Sequence, residues 1–161
     1  MFNPKYRLLI TKKCFPSDQC ICLGSQLISI VNLLKKVLPI HIWYGANVNA
    51  TGEGANELDI NGLQLNLIGT DRQLLQYCSK ISQFMCGVFL CVDRNDLPPN
   101  FQDIELETED EPFRPISCDG ILVEIRAFDT SYFEIYSEDE RIIKELSEKF
   151  SFSELNIKTD R

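Results

Sequence analysis

Short apolar segments with two different periodicities run through the sequence, and they constrain the fold more than any other feature. In SQLISIVNLLKKVLP, residues 25–39, the apolar residues recur at helical spacing. In LQLNL, residues 63–67, leucines alternate with polar residues, as expected for a half-buried strand. CGVFLCV, residues 86–92, is apolar throughout, as expected for a central strand buried on both sides. No apolar stretch approaches the ~20 residues that span a bilayer, so these segments predict a globular core.

The same periodicities divide the whole chain into strands and helices. Prolines and turn-forming residues mark most of the boundaries. Candidate helix caps are Ser25, the capping-box pair Thr70 and Gln73, and the pair Ser137 and Glu140. The predicted strands are residues 5–15, 40–50, 58–69, 86–92, 120–128 and 131–137, and the predicted helices are residues 25–39, 70–84 and 138–150.

This order of elements contains no internal repeat and no linker that would separate two domains. At 161 residues the chain has the length of one domain. Two strands, 120–128 and 131–137, are joined by a tight turn at Asp129 and Thr130. We therefore predict a single α+β domain over residues 1–161, with a mixed, mostly antiparallel sheet covered by about three helices.

The formal net charge of −8 is unevenly distributed along the chain. Residues 1–93 carry a net charge of +2, whereas residues 94–161 carry −10. Nucleic acid and anionic membranes would repel such an acidic half, which argues against both as direct partners. A basic protein surface would instead be attracted. Solubility alone is the other interpretation, because exposed acidic residues also supply it.

The sequence DIELETEDEPFRP, residues 103–115, lies in a proline-rich connection predicted over residues 93–119. Long ordered connections are often functional. The run has no basic residue before Arg114, and it lacks the apolar spacing that would bury it. A solvated loop is the default interpretation, and contact with a basic protein partner is the sharper hypothesis. The six carboxylates of the run are Asp103, Glu105, Glu107, Glu109, Asp110 and Glu111.

The segment FDTSYFEIY, residues 128–136, adds aromatic residues to this acidic half. Strand alternation places Tyr132, Glu134 and Tyr136 on one face, with the apolar residues between them facing the core. Two tyrosines around a carboxylate suit a protein interface, and ordinary sheet surface is the alternative. We include these three residues with the acidic run in the predicted partner-binding surface.

No catalytic residue, metal site or cofactor site is predicted. His41 is the only histidine, it lies in a predicted strand, and no cysteine has a recognisable nucleophile context. The cysteines lack the paired spacing of zinc ribbons, and no phosphate-binding or dinucleotide-binding glycine motif occurs. Two alternatives stay open. One is a small enzyme or ligand-binding domain with a pocket near His41, Trp43 and Tyr44, and the other is a structural adaptor.

Three segments resemble a known family: IHIWYGANVNATGEG (40–54), GVFLCV (87–92) and EIRAFDTSYFEIYSEDERIIKEL (124–146). They are similar to small acidic immunity proteins encoded beside bacterial polymorphic toxins, such as those of contact-dependent growth inhibition. The resemblance spans roughly residues 40–150 in pattern and carries no diagnostic motif. Because immunity families vary in fold, it implies neither a topology nor catalytic residues. It implies a cytoplasmic protein that binds one cognate toxin domain, often a nuclease, and blocks it.

The seven cysteines give a test of compartment. The N-terminus lacks the basic start and apolar middle of a secretory signal, so we expect a cytoplasmic protein with reduced thiols. Thiol titration of the denatured, non-reduced protein should therefore find all seven thiols free. A native intramolecular disulfide would count against the cytoplasmic interpretation.

Overall fold

The computed structural model describes residues 1–58, 60–96 and 103–160. Part of the predicted connection over residues 93–119, including Pro98 and Pro99, lies outside the described residues. The strands are β1 (Tyr6–Ile10), β2 (His41–Thr51), β3 (Asn66–Gly69), β4 (Gln83–Asp93), β5 (Ile121–Phe128), β6 (Tyr132–Ser137) and β7 (Glu154–Ile157). The α-helices are α1 (Gly24–Val37), α2 (Asp71–Ser79) and α3 (Glu140–Lys149), and a short 3-10 helix covers Lys12–Cys14.

The described strands form one seven-stranded sheet in the order β3-β2-β4-β5-β6-β1-β7. The predicted α+β fold is confirmed, but the sheet is not mixed, because every pair of neighbouring strands is antiparallel. The predicted tight turn between β5 and β6 is present. Asp129 and Thr130 both adopt positive φ, at 43° and 55°, and Ser131 completes a three-residue connection, because Phe128 pairs with Tyr132.

The structure changes several predicted boundaries. Among the described residues of the predicted strand 58–69, only Asn66–Gly69 forms a strand. Just before it, the backbone N–H of Leu65 donates to the carbonyl of Ile104 at 3.2 Å, so a contact with the acidic run replaces a regular ladder there. The predicted helix 70–84 ends at Ser79, and its last residues belong to β4. Strand β7 was not predicted, since four residues at a sheet edge carry little periodic signal.

The capping box that begins at Thr70 is confirmed. Its hydroxyl accepts the backbone N–H of Gln73, whose side-chain oxygen accepts the N–H of Thr70 at 2.8 Å. The other two predicted caps are wrong. Helix α1 already begins one residue before Ser25, and Asp139, rather than Ser137, caps α3 with its carboxylate. A side chain can cap a helix only if its residue directly precedes the first helical residue. Tertiary packing decides at which residue the helix begins.

The three α-helices cover one face of the sheet, which we call the helix face. This face holds the larger apolar core, and burial of each large side chain there contributes about 1.5–3 kcal/mol. Its largest fully buried members are Leu8, Ile10, Leu27, Ile30, Leu34, Trp43, Phe84, Phe89 and Phe133.

Irregular segments cover the opposite face, which we call the loop face. Phe2 pairs with Ile116 through two backbone hydrogen bonds of 2.9 Å, and both side chains are buried there. Leu65 and Leu106 join them over β4. The prediction that residues 86–92 form a central strand buried on both sides is confirmed for residues 87–92, which all lie in the core. The acidic run is therefore part of the cover of a second core.

Five polar side chains meet on the loop face of β1, β5 and β6, and we call them the buried charge network. Arg126 donates to Glu124 at 3.0 Å, and its guanidinium lies 4.7 Å from the centre of the Tyr136 ring. The Tyr136 hydroxyl donates to Glu134, which also accepts from Arg7 at 3.3 Å. Two arginines thus balance two carboxylates.

Burial makes this balance necessary. Arg126 and Glu124 are each 1% exposed, and an unpaired charge at that depth is strongly unfavourable. Burial raises the pKa of Glu124 above its ordinary value, and the neighbouring Arg126 opposes that shift. The pKa of Tyr136 is also raised, by burial and by its hydrogen bond to Glu134, so the phenol stays protonated as a donor.

We expect the variant Arg126→Met to lose roughly 3–5 kcal/mol of stability at pH 7, because it leaves Glu124 buried without its cation. The measurement is denaturant unfolding. Since the loss of Arg126 raises the folded-state pKa of Glu124 further, the variant gains relative stability as the pH falls toward the ordinary Glu pKa of about 4.3. The difference in the free energy of unfolding between the natural protein and the variant should therefore become smaller as the pH is lowered.

Arg141→Met is the matched control, because the side chain of Arg141 is 89% exposed and pairs with Asp139 at the surface. It should change stability little. An Arg126→Met protein as stable as this control would show that the network does not hold the loop face together.

Candidate functional site

The acidic run is an irregular segment, and from Asp103 to Glu111 exposed side chains alternate with buried or half-buried ones. Leu106 and Thr108 are buried, whereas the carboxylates beside them are exposed. The expectation that the run lacks the spacing for burial is therefore wrong, and the polar nature of Thr108 hid its role as an anchor. Asp103 is exposed as well. We call the exposed carboxylates of Glu105, Glu107, Glu109 and Glu111 the acidic ridge.

Hydrogen bonds to three neighbouring segments fix the ridge. The N–H of Leu106 donates to the carbonyl of Leu63 at 2.8 Å. The N–H of Thr108 donates to the side-chain oxygen of Asn47 at 3.0 Å, and the Thr108 hydroxyl accepts the N–H of Gly87 at 2.9 Å. Because β2, β4 and the segment before β3 all hold this segment, the backbone that carries the ridge carboxylates is anchored.

Asp110 has a different role from the ridge carboxylates. Its carboxylate accepts the N–H of Glu107 at 3.1 Å and pairs with Arg114 at 2.6 Å, and its side chain is 10% exposed. Its carbonyl accepts from Arg126 at 2.7 Å, which ties the segment to the buried charge network. Asp110 therefore positions the segment. By contrast, no ridge carboxylate forms a salt bridge with any residue that the structure describes.

A cavity of about 390 Å³ adjoins the ridge, and we call it the acidic pocket. It combines negative charge with apolar surface, a combination that suits a long cationic side chain. Its carboxylates are Glu107, Glu109 and Asp129, and its apolar groups come from Met85, Cys86 and Phe128.

Two departures from regular strand geometry border the pocket. Strand β2 carries a bulge in which Asn47 adopts a positive φ of 51°, and this bulge presents the Asn47 side chain to the ridge. The hairpin turn after β5 places Asp129 on the other side. Since Cys86 of β4 pairs with Phe128 of β5, the turn and the start of β4 lie at the same end of the sheet.

Cys86 does not have the environment of a nucleophile. Its thiol donates to the carbonyl of Asn47 at 3.1 Å. Burial raises the pKa of Cys86, and the nearby carboxylates of Glu109 and Asp129 raise it further. The group is therefore a thiol at neutral pH, whereas cysteine chemistry needs a thiolate.

The expectation that Tyr136 and Glu134 lie on an exposed strand face is wrong. Their exposures are 0% and 4%, because the segment around Phe113 covers them and both belong to the buried charge network. Tyr132 is half-buried and stacks on Phe128, with ring centroids 5.0 Å apart. Strand alternation identified one face correctly, but it could not show that a distant segment covers part of that face.

His41, Trp43 and Tyr44 do not share one face of the sheet. Trp43 belongs to the core of the helix face, whereas Tyr44 packs against the core of the loop face. His41 Nε2 and the indole nitrogen of Trp43 both contact one carboxylate oxygen of Asp71 at 2.7 Å, and His41 Nδ1 contacts the carbonyl of Pro39 at 2.6 Å. Both ring nitrogens of His41 are thus engaged in structural contacts.

Comparisons with known proteins add no relative. No protein-family model, curated protein or solved structure matches the chain.

Within residues 1–58, 60–96 and 103–160, no group of three or more His, Cys, Asp or Glu side chains is placed to hold a metal ion. In the same ranges, no helix combines the length and apolar character needed to cross a membrane.

The sequence patterns identified the ridge carboxylates but missed the pocket beside them. Asp129 was assigned only to a turn and Phe128 only to a strand, and Met85 fell between the predicted helix 70–84 and the predicted strand 86–92. The pairing of β4 with β5 brings these residues to the ridge. The predicted hairpin turn was the one local signal that placed Asp129 at an end of the sheet.

We expect His41→Ala to leave partner binding unchanged while lowering stability by roughly 1–3 kcal/mol, since Asp71 and Pro39 lose a buried hydrogen-bonding partner. Binding titration and denaturant unfolding of the same preparation separate the two effects. Loss of biological activity in a variant that is still folded would favour the enzyme alternative.

Proposed function

We propose that this chain is an immunity protein that acts in the cytoplasm, where it binds a cognate toxin domain and neutralises it through its acidic surface. One observation carries the proposal. Four exposed carboxylates, without ionic partners among the described residues, project from an anchored segment, and two of them, Glu107 and Glu109, line an acidic pocket. Like charges at close spacing repel and disfavour the compact state. A basic partner surface would offset that repulsion.

The pocket specifies the chemistry of the contact. A lysine or arginine side chain of the toxin would place its apolar stem against Met85 and Phe128 and its charged head among Glu107, Glu109 and Asp129. Charge-assisted hydrogen bonds to carboxylates are stronger than neutral ones, and arginine can form two at once. The pocket would therefore hold the anchor of the interface, and the ridge would extend it.

The fixed backbone of the ridge supports tight binding. Thr108 and Leu106 already hold the segment through hydrogen bonds to β2, β4 and the segment before β3. A segment that is ordered before binding loses less conformational entropy on association. The ridge can therefore convert more of its charge complementarity into affinity than a solvated loop could.

A nuclease is the class of toxin that best complements this surface. A nuclease holds phosphates in a basic cleft. A row of carboxylates can occupy such a cleft in place of the nucleic acid, and opposite charge also accelerates encounter. The net charge of −10 over residues 94–161 has the sign that this requires.

The test replaces Glu105, Glu107, Glu109 and Glu111 with Gln and measures binding kinetics against the toxin domain, identified by pull-down from the native host or by a reading frame immediately upstream. At low salt, association should slow roughly tenfold or more, because long-range attraction is lost. The difference should shrink as salt screens exposed charges beyond ~8–10 Å.

A second fourfold variant is the control. Glu53, Glu145, Glu148 and Asp160 are exposed and lie outside the ridge, and their replacement by Gln or Asn changes the net charge equally. This control should associate nearly as fast as the natural protein. Equal rates for both variants at both salt concentrations would reduce the ridge to a solubility feature.

A further inference from the structure

Strand β7 forms one edge of the sheet, and within the described residues no strand lies on its outer side. Its pairing with β1 is antiparallel, with Asn156 opposite Arg7, and the N–H of Lys158 donates to the carbonyl of Lys5 at 2.8 Å. Hydrogen-bonding direction alternates along an antiparallel strand. The N–H and C=O groups of Leu155 and Ile157 therefore point outward, where they are available to another strand.

The side chains of this edge are apolar and exposed on one face of the sheet. Leu155 and Ile157 are 38% and 59% exposed, and they lie on the same face because alternate residues of a strand do. An exposed edge with apolar residues is a template for pairing with another strand. Most edge strands avoid such pairing with unfavourable charges, so the charges of β7 decide whether it can pair with itself.

Strand β7 and the residue after it are complementary in charge to a second, antiparallel copy of themselves. Their sequence is Glu154-Leu155-Asn156-Ile157-Lys158. When two copies pair antiparallel about a two-fold axis at Asn156, Glu154 of each copy lies opposite Lys158 of the other. Leu155 then lies opposite Ile157, in hydrogen-bonded pairs that use the outward backbone groups. About four backbone hydrogen bonds form between the copies, since each such pair exchanges two.

The neighbouring registers are less favourable. An axis at Glu154 or at Lys158 places like charges directly opposite each other. An axis at Ile157 places Glu154 opposite Asp160, and an axis at Leu155 leaves Glu154 opposite Asn156 and so without a cation. Like charges directly opposite across strands are destabilising, whereas opposite charges stabilise. Charge therefore selects the single register centred on Asn156.

From this complementarity we infer that the protein forms a symmetric homodimer through β7, in which the two sheets join edge to edge. The partner of β7 is a second copy of the chain, because the register that pairs its opposite charges is two-fold symmetric. Strands β6 and β1 lie between β7 and β5, whose Arg126 holds the acidic ridge. The dimer thus leaves the ridge of each copy uncovered, and its formation is independent of the proposed toxin binding.

Charge reversal tests the register. Sedimentation velocity over a wide concentration series should show a monomer–dimer equilibrium for the natural protein. Glu154→Lys alone and Lys158→Glu alone should each weaken dimerisation roughly tenfold, because two attractive pairs become repulsive. The double variant Glu154→Lys/Lys158→Glu restores opposite charges and should return the dissociation constant to near its natural value. A double variant as weak as the single variants would overturn the proposal.

Matched substitutions at the two sheet edges locate the interface. Ile157 on β7 and Leu67 on β3 are 59% and 61% exposed. Ile157→Lys should abolish the dimer, and Leu67→Lys should leave it intact. Circular dichroism melts verify that both variants are folded. A monomer at every concentration of the natural protein, or a dimer that survives Ile157→Lys, would show that β7 does not pair with a second copy.

Discussion

The packing of the loop face depends on the contacts of one group, the buried guanidinium of Arg126. It joins Glu124 on its own strand, lies over the ring of Tyr136 on the next strand, and donates to the carbonyl of Asp110 in the acidic run. One side chain thereby links two strands of the sheet to the irregular segment that covers them. Because a buried cation must be paired, the carboxylates and carbonyls around Arg126 are fixed as a group.

This arrangement explains how an acidic segment can be both highly charged and ordered. Leu106 and Thr108 face the core and anchor the segment, whereas Glu105, Glu107, Glu109 and Glu111 project as the ridge. Asp110 lies between these roles, since it uses its carboxylate to hold Glu107 and Arg114. The repulsion among the ridge charges is thus opposed by apolar burial and by hydrogen bonds. A segment held in this way before association loses less conformational entropy when it binds, which supports the proposed role as an inhibitor of a basic protein.

The two proposed interaction surfaces differ in the arrangement of their charges. The ridge and its pocket have charge of one sign, so they repel their own copies and attract a basic partner. Strand β7 has both signs in a self-complementary order, so it favours a second copy. If both proposals hold, a dimer would present two ridges, and a toxin domain could occupy each without competing for the edge. The contacts of His41 and Trp43 with Asp71 belong instead to the core and connect α2 to β2.

Local patterns in the sequence were enough to predict the α+β class, three helices, the central strand and the hairpin turn at Asp129, because periodicity and turn chemistry are local properties. They also identified the ridge carboxylates, since exposure is the default for clustered charges. They could not show that Tyr136 and Glu134 are covered, that Thr108 is an anchor, or that Met85 and Asp129 meet at one pocket. Those outcomes depend on contacts between segments that are far apart in the sequence, and a local sequence pattern carries no information about such contacts. They follow from the three-dimensional packing, because the pairing of β4 with β5 and the burial of Arg126 join residues far apart in the sequence.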